Sequence, residues 1–379
     1  MNQRVNSIDG LRAVAMTMVI AQHSGLLPMG WSGVWLFFVI SGYVITRGFM
    51  SEERKLASDA TPLKRYSAFL KRRVLRIFPA YFLYLIICAL LTWGASGRTL
   101  VDLYGLICFT YNWQMIYFDY EHARPWVGVG HLWTLSVEQQ FYIFFPLLFL
   151  WVPERMRWKL ATLLILLAPA IRYGWVSFNQ WSHPQGDDAF LAFAVYAATH
   201  CQADAFLMGA LLARYESDLR STRQLPTKAM YAALGLTCAY MLSYVVANHL
   251  RGDHGLGLVK NIISGTLYGQ GRETLVYSVM GILSTAIMLE TLSGARYTQW
   301  LSHRFLTWVG QVSYGGYLFH VLPLAWISAA IGSELKTAPL GIRLGAFTIT
   351  WATSVLLASM SFKYFEQPIA QKWKNWANL

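Results

Sequence analysis

Ten stretches of this chain, each roughly 18–25 residues long, are apolar enough to cross the ~30 Å hydrocarbon layer of a bilayer. Inside that layer every backbone polar group must be satisfied by the chain itself, so such stretches fold as helices. The expected fold class is an all-α polytopic membrane protein. Its spans fall at about 8–26, 31–50, 76–94, 132–152, 158–178, 195–214, 228–248, 273–292, 305–331 and 340–362. Composition agrees: 55% of the 379 residues are hydrophobic and 13% are charged, where a soluble domain carries about a quarter. Nothing outside the apolar runs is long enough for a second globular unit, so residues 1–379 read as a single integral-membrane domain without an appended soluble domain. The first run is interrupted by Asp9 and Arg12 and lacks a small-residue cleavage site, so it does not read as a removable leader.

Loop charge sets the orientation. Arg54, Lys55, Lys64, Arg65, Lys71, Arg72 and Arg73 crowd the segment between the second and third spans, which should therefore be cytoplasmic. The clusters at Arg155–Lys159, Arg214–Lys228, Arg296–Arg304 and Lys363–Lys374 join them only if the further apolar stretch at 99–118 does not cross. That stretch is expected to be a re-entrant or interfacial helical segment, and both termini are expected in the cytoplasm. The net charge of +12 then belongs to topology and to anionic lipid, not to nucleic acid. The outer segments are polar and aromatic, with Trp113, Trp126 and Trp181 suited to the interface or to sugar rings. Cys88, Cys108, Cys201 and Cys238 lie in or beside apolar runs without metal-type spacing and read as core residues; no metal site is expected.

Ionisable residues at bilayer depth are costly and usually face a protein interior or a wet cavity. In the first span Arg12 and His23 stand eleven residues apart, close to three helical turns, so they share one face about 16 Å apart. His23, near the outer end, suits a general base for an alcohol. Glu138, in HLWTLSVEQQFY, is expected at a similar depth, where a carboxylate would orient the imidazole. Trp133, Phe141 and Tyr142 would supply dry walls. Arg73 and Arg76 share a helix face at the cytoplasmic mouth of the third span, and such forks suit phosphates as well as simple anchoring. In the second span Phe38 precedes the small pair Ser41–Gly42, which admits either a neighbouring backbone or a thin ligand arm. Asp204 needs a polar partner. Tyr314, Tyr317 and His320 follow on the ninth span.

These motifs stand in an order that resembles the acyltransferase family 3 membrane proteins, which O-acylate bacterial surface carbohydrates. The resemblance covers essentially the whole chain. It rests on Arg12 with ten spacers to His23, FFVISGY at Phe37–Tyr43 with Tyr43 in place of Phe, and RVLR at Arg73–Arg76. It rests further on HLWTLSVEQQFY at His131–Tyr142 with Thr134 in place of Ser, on SYGGYLFH, and on FEQP. Gln202 departs from the pattern, where Arg is expected before Ala-Asp, and this puts the ion pair to Asp204 in question.

The resemblance implies a cytoplasmic acyl-CoA donor (acetyl-CoA in the simplest case) as substrate, with no bound cofactor. It implies a carbohydrate or glycolipid acceptor and a place in the bacterial cytoplasmic (inner) membrane; the soluble esterase-like domain that some relatives carry at the C-terminus is not expected here, since the last span is followed by only about 15 residues. On this reading His23, Glu138 and Arg12 are catalytic, and Arg73, Arg76, Ser41, Gly42 and Phe38 hold the donor. Trp133, Tyr142, Asp204, Tyr314 and His320 support the acceptor. His23 acts either as the base or as a transient acyl carrier. The competing readings are a transporter or flippase of a lipid-linked glycan without covalent chemistry, and a non-catalytic envelope scaffold.

Overall fold

The computed structural model describes residues 5–55, 61–92, 103–119, 128–222, 224–259, 273–332 and 334–373. Among the described residues the secondary structure is helical, without strands. The longer helices are α1 (Asn6–His23), α2 (Ser32–Lys55), α3 (Pro62–Thr92), α4 (Trp133–Trp151) and α5 (Glu154–Ser182). They continue as α6 (Asp188–Ala197), α7 (Ala203–Ser221), α8 (Leu225–Leu250) and α9 (Glu273–Leu292). Then come α10 (Arg304–Gln311), α11 (Ser313–Phe319), α12 (Val321–Ile331) and α13 (Leu340–Ser361). Seven helical segments of the described residues are long and apolar enough to cross a membrane, and the chain is a polytopic membrane protein. The apolar runs around α1, α4 and α7 are helices too, and they carry Asp9, Arg12, Glu138 and Asp204.

Three expected spans differ in detail. The run at 195–214 is not one helix: α6 stops at Ala197 and a 3-10 turn at Thr199–Gln202 leads into α7. Gln202 donates from Nε2 to the carbonyls of Val195 and Tyr196, which satisfies acceptors left open at the end of α6. The run at 305–331 is three consecutive helices, interrupted at Val312 and His320. The third span begins earlier than expected, because α3 already starts at Pro62 and carries Arg72, Arg73 and Arg76 within its own length.

The described part of the 99–118 stretch consists of short turns at Tyr104–Ile107 and Tyr111–Gln114 and a π-turn at Met115–Asp119, none long enough to cross. Gln140 of α4 pins it. Its amide donates to the Phe109 carbonyl (2.7 Å) and to Asn112 Oδ1 (2.9 Å), and its oxygen accepts from Trp113 Nε1 (3.2 Å) and Thr199 Oγ1 (2.5 Å). Such irregular backbone is tolerated in a membrane protein where protein shields it. Of the polar segments expected on the outer side, Trp126 and the stretches 95–102 and 260–272 lie outside the described residues.

α2 is the central element. α1 turns back onto it through Gly25, whose φ of +75° closes the helix end. On its other side α2 meets α7 without side chains between the backbones. A Cβ on Gly42 would collide with the Phe206 carbonyl, and one on Gly209 with the Val39 carbonyl. Small residues at both contacts let the two helices approach this closely.

Candidate active site

Two chambers open on either side of a neck between α1, α2, α4 and α11. The inner one is narrow, about 60 Å³, and is lined by Arg12, Arg73, Arg76, Ser41, Glu138 and Tyr142, with Phe37, Phe38, Tyr314 and Tyr317 as walls. The outer one is wider, about 440 Å³, and is lined by His23, His131, Trp31, Trp133, Tyr196 and Lys336 among others. Val34, Thr134 and Tyr317 border both. At this neck Tyr317 Oη lies 2.8 Å from Thr134 Oγ1.

The inner chamber holds an excess of positive charge. Glu138 is its one carboxylate, set against three guanidiniums. That carboxylate accepts from Ser41 Oγ at 2.5 Å and from Tyr142 Oη. Arg73 is sandwiched by aromatic faces, its Cζ 5.5 Å from the Phe69 ring and 5.4 Å from the Tyr142 ring. Arg12 Nε is buried and has no hydrogen-bond partner among the described residues. None of Arg12, Arg73 and Arg76 forms a salt bridge among the described residues. Arg12 and Arg73 are part-buried and Arg76 is exposed, so the fork-shaped donors of all three are open to an anion, and guanidiniums match phosphate oxygens in fork geometry.

Two imidazoles, His23 and His131, line the outer chamber, and a third, the fully buried His320, packs behind them. His23 Nδ1 lies 2.8 Å from His320 Nε2, and the two rings stack with centroids 5.0 Å apart. His320 Nδ1 lies 2.5 Å from the Tyr317 carbonyl, and His131 Nε2 lies 3.1 Å from the Leu318 carbonyl. A carbonyl only accepts, so His320 carries its proton on Nδ1. In a neutral ring Nε2 is then an acceptor, so His23 donates from Nδ1. His23 is left with an unprotonated Nε2, and its side chain is exposed at the chamber. The same logic leaves the lone pair of His131 on Nδ1, a buried atom with no hydrogen-bond partner among the described residues.

The structure thus separates residues that the sequence reading joined. Glu138 does not orient His23: its partners are Ser41 and Tyr142, and it faces Arg12 from the inner chamber. His23 is the last residue of α1, whereas Glu138 lies five residues inside α4 from Trp133, roughly 8 Å of helix rise. The side chain in hydrogen-bond contact with His23 is His320, 297 positions away in sequence. Gly42 faces the Phe206 backbone and not a chamber. Asp204 lines neither chamber; it pairs with Arg172 (2.6 Å, both side chains 0% exposed) and accepts from Ser278 Oγ at 2.7 Å. Arg172 also donates to the carbonyls of Cys201 and Thr274. The cation missing at position 202 is therefore supplied from α5. The signal was an arginine in the middle of the apolar run APAIRYGW. Arg12, Arg73, Arg76, Ser41, Phe38, Tyr142 and Tyr314 come together in the inner chamber, and His23 and Trp133 in the outer one. Tyr314 donates to the Ile77 carbonyl (3.2 Å) and ties α11 to α3.

A family model described as "Acyltransferase domain" matches residues 5–361. The chain is 25% identical over 384 residues to the O-acetyltransferase OatA of Staphylococcus aureus strain NCTC 8325 / PS 47, and equally to OatA of Staphylococcus aureus strain COL. Each alignment covers 96% of this chain and 57% of the relative. The chain spans just under three-fifths of the length of the curated relatives it matches. No solved structure matches it.

Proposed function

This chain belongs to the acyltransferase 3 family, and on that premise we propose that it transfers an acyl group, acetyl in the simplest case, from cytoplasmic acyl-CoA to a hydroxyl of a carbohydrate or glycolipid on the outer side of the bacterial cytoplasmic membrane. The observation that carries this reading is the polarity of the two chambers. Three guanidiniums without ion pairs among the described residues face one, and an imidazole with an unprotonated Nε2 faces the other. The phosphates of the donor sit among Arg12, Arg73 and Arg76. Its pantetheine arm runs past Ser41 and the neck at Thr134 and Tyr317 and brings the thioester to His23. The aromatic walls Trp31, Trp133 and Tyr196 receive the sugar on the far side.

In the transfer step the acceptor O–H loses its proton to His23 Nε2 as the oxygen attacks the thioester carbonyl. The tetrahedral intermediate collapses, the C–S bond breaks, and the imidazolium returns the proton to the departing thiolate. The products are an O-acyl sugar and free CoA. His320 plays the part a carboxylate plays in a triad: it accepts from His23 Nδ1–H throughout and keeps the reactive nitrogen on the chamber side. Glu138 fixes the inner wall through Ser41 and Tyr142 and offsets part of the guanidinium charge.

The test is the purified protein in proteoliposomes with acetyl-labelled acetyl-CoA and an oligosaccharide acceptor. Free thiol and labelled ester are expected in equal amounts. Label that crosses the membrane with its thioester intact, or a glycan that is moved without acylation, would replace the enzyme by a transporter.

A further inference from the structure

A second, separate groove of about 880 Å³ runs between α5 and α7, at the ends of these helices that carry Glu154 and Tyr215. Arg155 and Lys159 on α5 and Arg214 on α7 line it, with Glu154 as its one carboxylate. It shares no lining residue with either chamber. None of the three cations makes an ion pair among the described residues. Arg214 has its Nε buried without a hydrogen-bond partner and its Cζ 5.4 Å from the Tyr215 ring, so its fork is held in place with donor capacity unused.

The groove is amphiphilic along its length. Arg155, Lys159, Leu163 and Leu166 follow one face of α5 at helical spacing. The face changes from cationic to apolar over eleven residues, about 16 Å. Leu163 and Leu166 are 50% and 71% exposed, bare apolar surface directly below the charges. A soluble nucleotide would leave that strip uncovered, and a neutral lipid would leave the cations unanswered. We propose that the groove is a binding site for an anionic phospholipid, its phosphate on Arg155, Lys159 and Arg214 and an acyl chain along Leu163 and Leu166. The lipid bridges the seam between α5 and α7, the same pair that Arg172 and Asp204 lock further along. This site does not depend on the acyl-transfer reading.

Native mass spectrometry of the detergent-purified protein, titrated with phosphatidylglycerol or with phosphatidylcholine, tests it. Phosphatidylglycerol is expected to be retained at least tenfold more strongly. The Arg155→Ala/Lys159→Ala/Arg214→Ala variant should lose that preference, while Arg296→Ala/Arg304→Ala/Lys363→Ala, the same loss of three charges elsewhere, should keep it. Should the triple variant fail to fold, Lys159→Gln alone is expected to weaken retention about fivefold. Equal retention of the two lipids, equal weakening in the Arg296/Arg304/Lys363 control, an unchanged Lys159→Gln, or displacement of the lipid by free CoA would each overturn the assignment.

Discussion

His320 Nε2 lies 2.8 Å from His23 Nδ1, while the opposite nitrogen of His320 is tied to the Tyr317 carbonyl at 2.5 Å. The two contacts together dictate which nitrogen of His23 is bare, from a residue on a different helix. Replacing His320 with Ala removes the acceptor and lets the His23 ring rotate and change tautomer. We expect kcat to fall by about 10²–10⁴-fold with little change in KM for acyl-CoA, measured as labelled-ester formation by folded protein. A matching rise in KM would move His320 from a positioning role to donor binding.

The guanidinium cluster predicts the opposite split. Arg76→Ala or Arg12→Ala should raise KM for acyl-CoA about tenfold or more and change kcat less. Arg73→Lys should behave almost as badly as Arg73→Ala, because an ammonium does not reproduce the flat fork held between Phe69 and Tyr142. Steady-state kinetics at varied acyl-CoA checks both.

The Arg172–Asp204 pair should matter for folding and not for turnover. Both side chains are fully buried, so Asp204→Ala leaves an uncompensated guanidinium and is expected to destabilise by about 3–5 kcal/mol. Thermal unfolding in detergent reads this directly. Protein that remains folded should retain its KM for donor, since neither residue lines a chamber.

Gly42 makes a similar distinction. Gly42→Ala sets a methyl group against the Phe206 carbonyl, and α2 and α7 must part. A loss of about 1–3 kcal/mol in stability is expected. Ser41→Ala, one residue earlier, leaves the packing intact but removes a donor to Glu138, and should lower activity in protein of normal stability.

What the sequence disclosed and what it hid follow from the range of the physics. Arg12 and His23 sit on one helix, so a period of 3.6 was enough to place both on the stripe that faces the chambers. Arg73 and Arg76 were legible for the same reason. Loop charge set the stretch near 104–119 apart from the full spans, and its described part is short turns, though its anchor, the fully engaged amide of Gln140, was not legible. Partnerships across helices were the weak point. Depth along a span is uncertain by a turn or more from sequence, so Glu138 could not be assigned to the His23 end or the Arg12 end of the stripe. Nothing local to His320 announces a bond to a residue 297 positions earlier. Gln202 looked like a lost ion pair because the compensating Arg172 enters from another helix.

The most direct measurement is turnover by His23→Gln in proteoliposomes, with acetyl-CoA on the side of the arginines and an oligosaccharide on the side of the histidines. Wild-type protein should form labelled ester on the histidine side. His23→Gln, verified as folded by its melting curve and by unchanged acyl-CoA binding, should lose at least 10³-fold. Ester formation within threefold of wild type in that variant would contradict the assignment of His23 as the base.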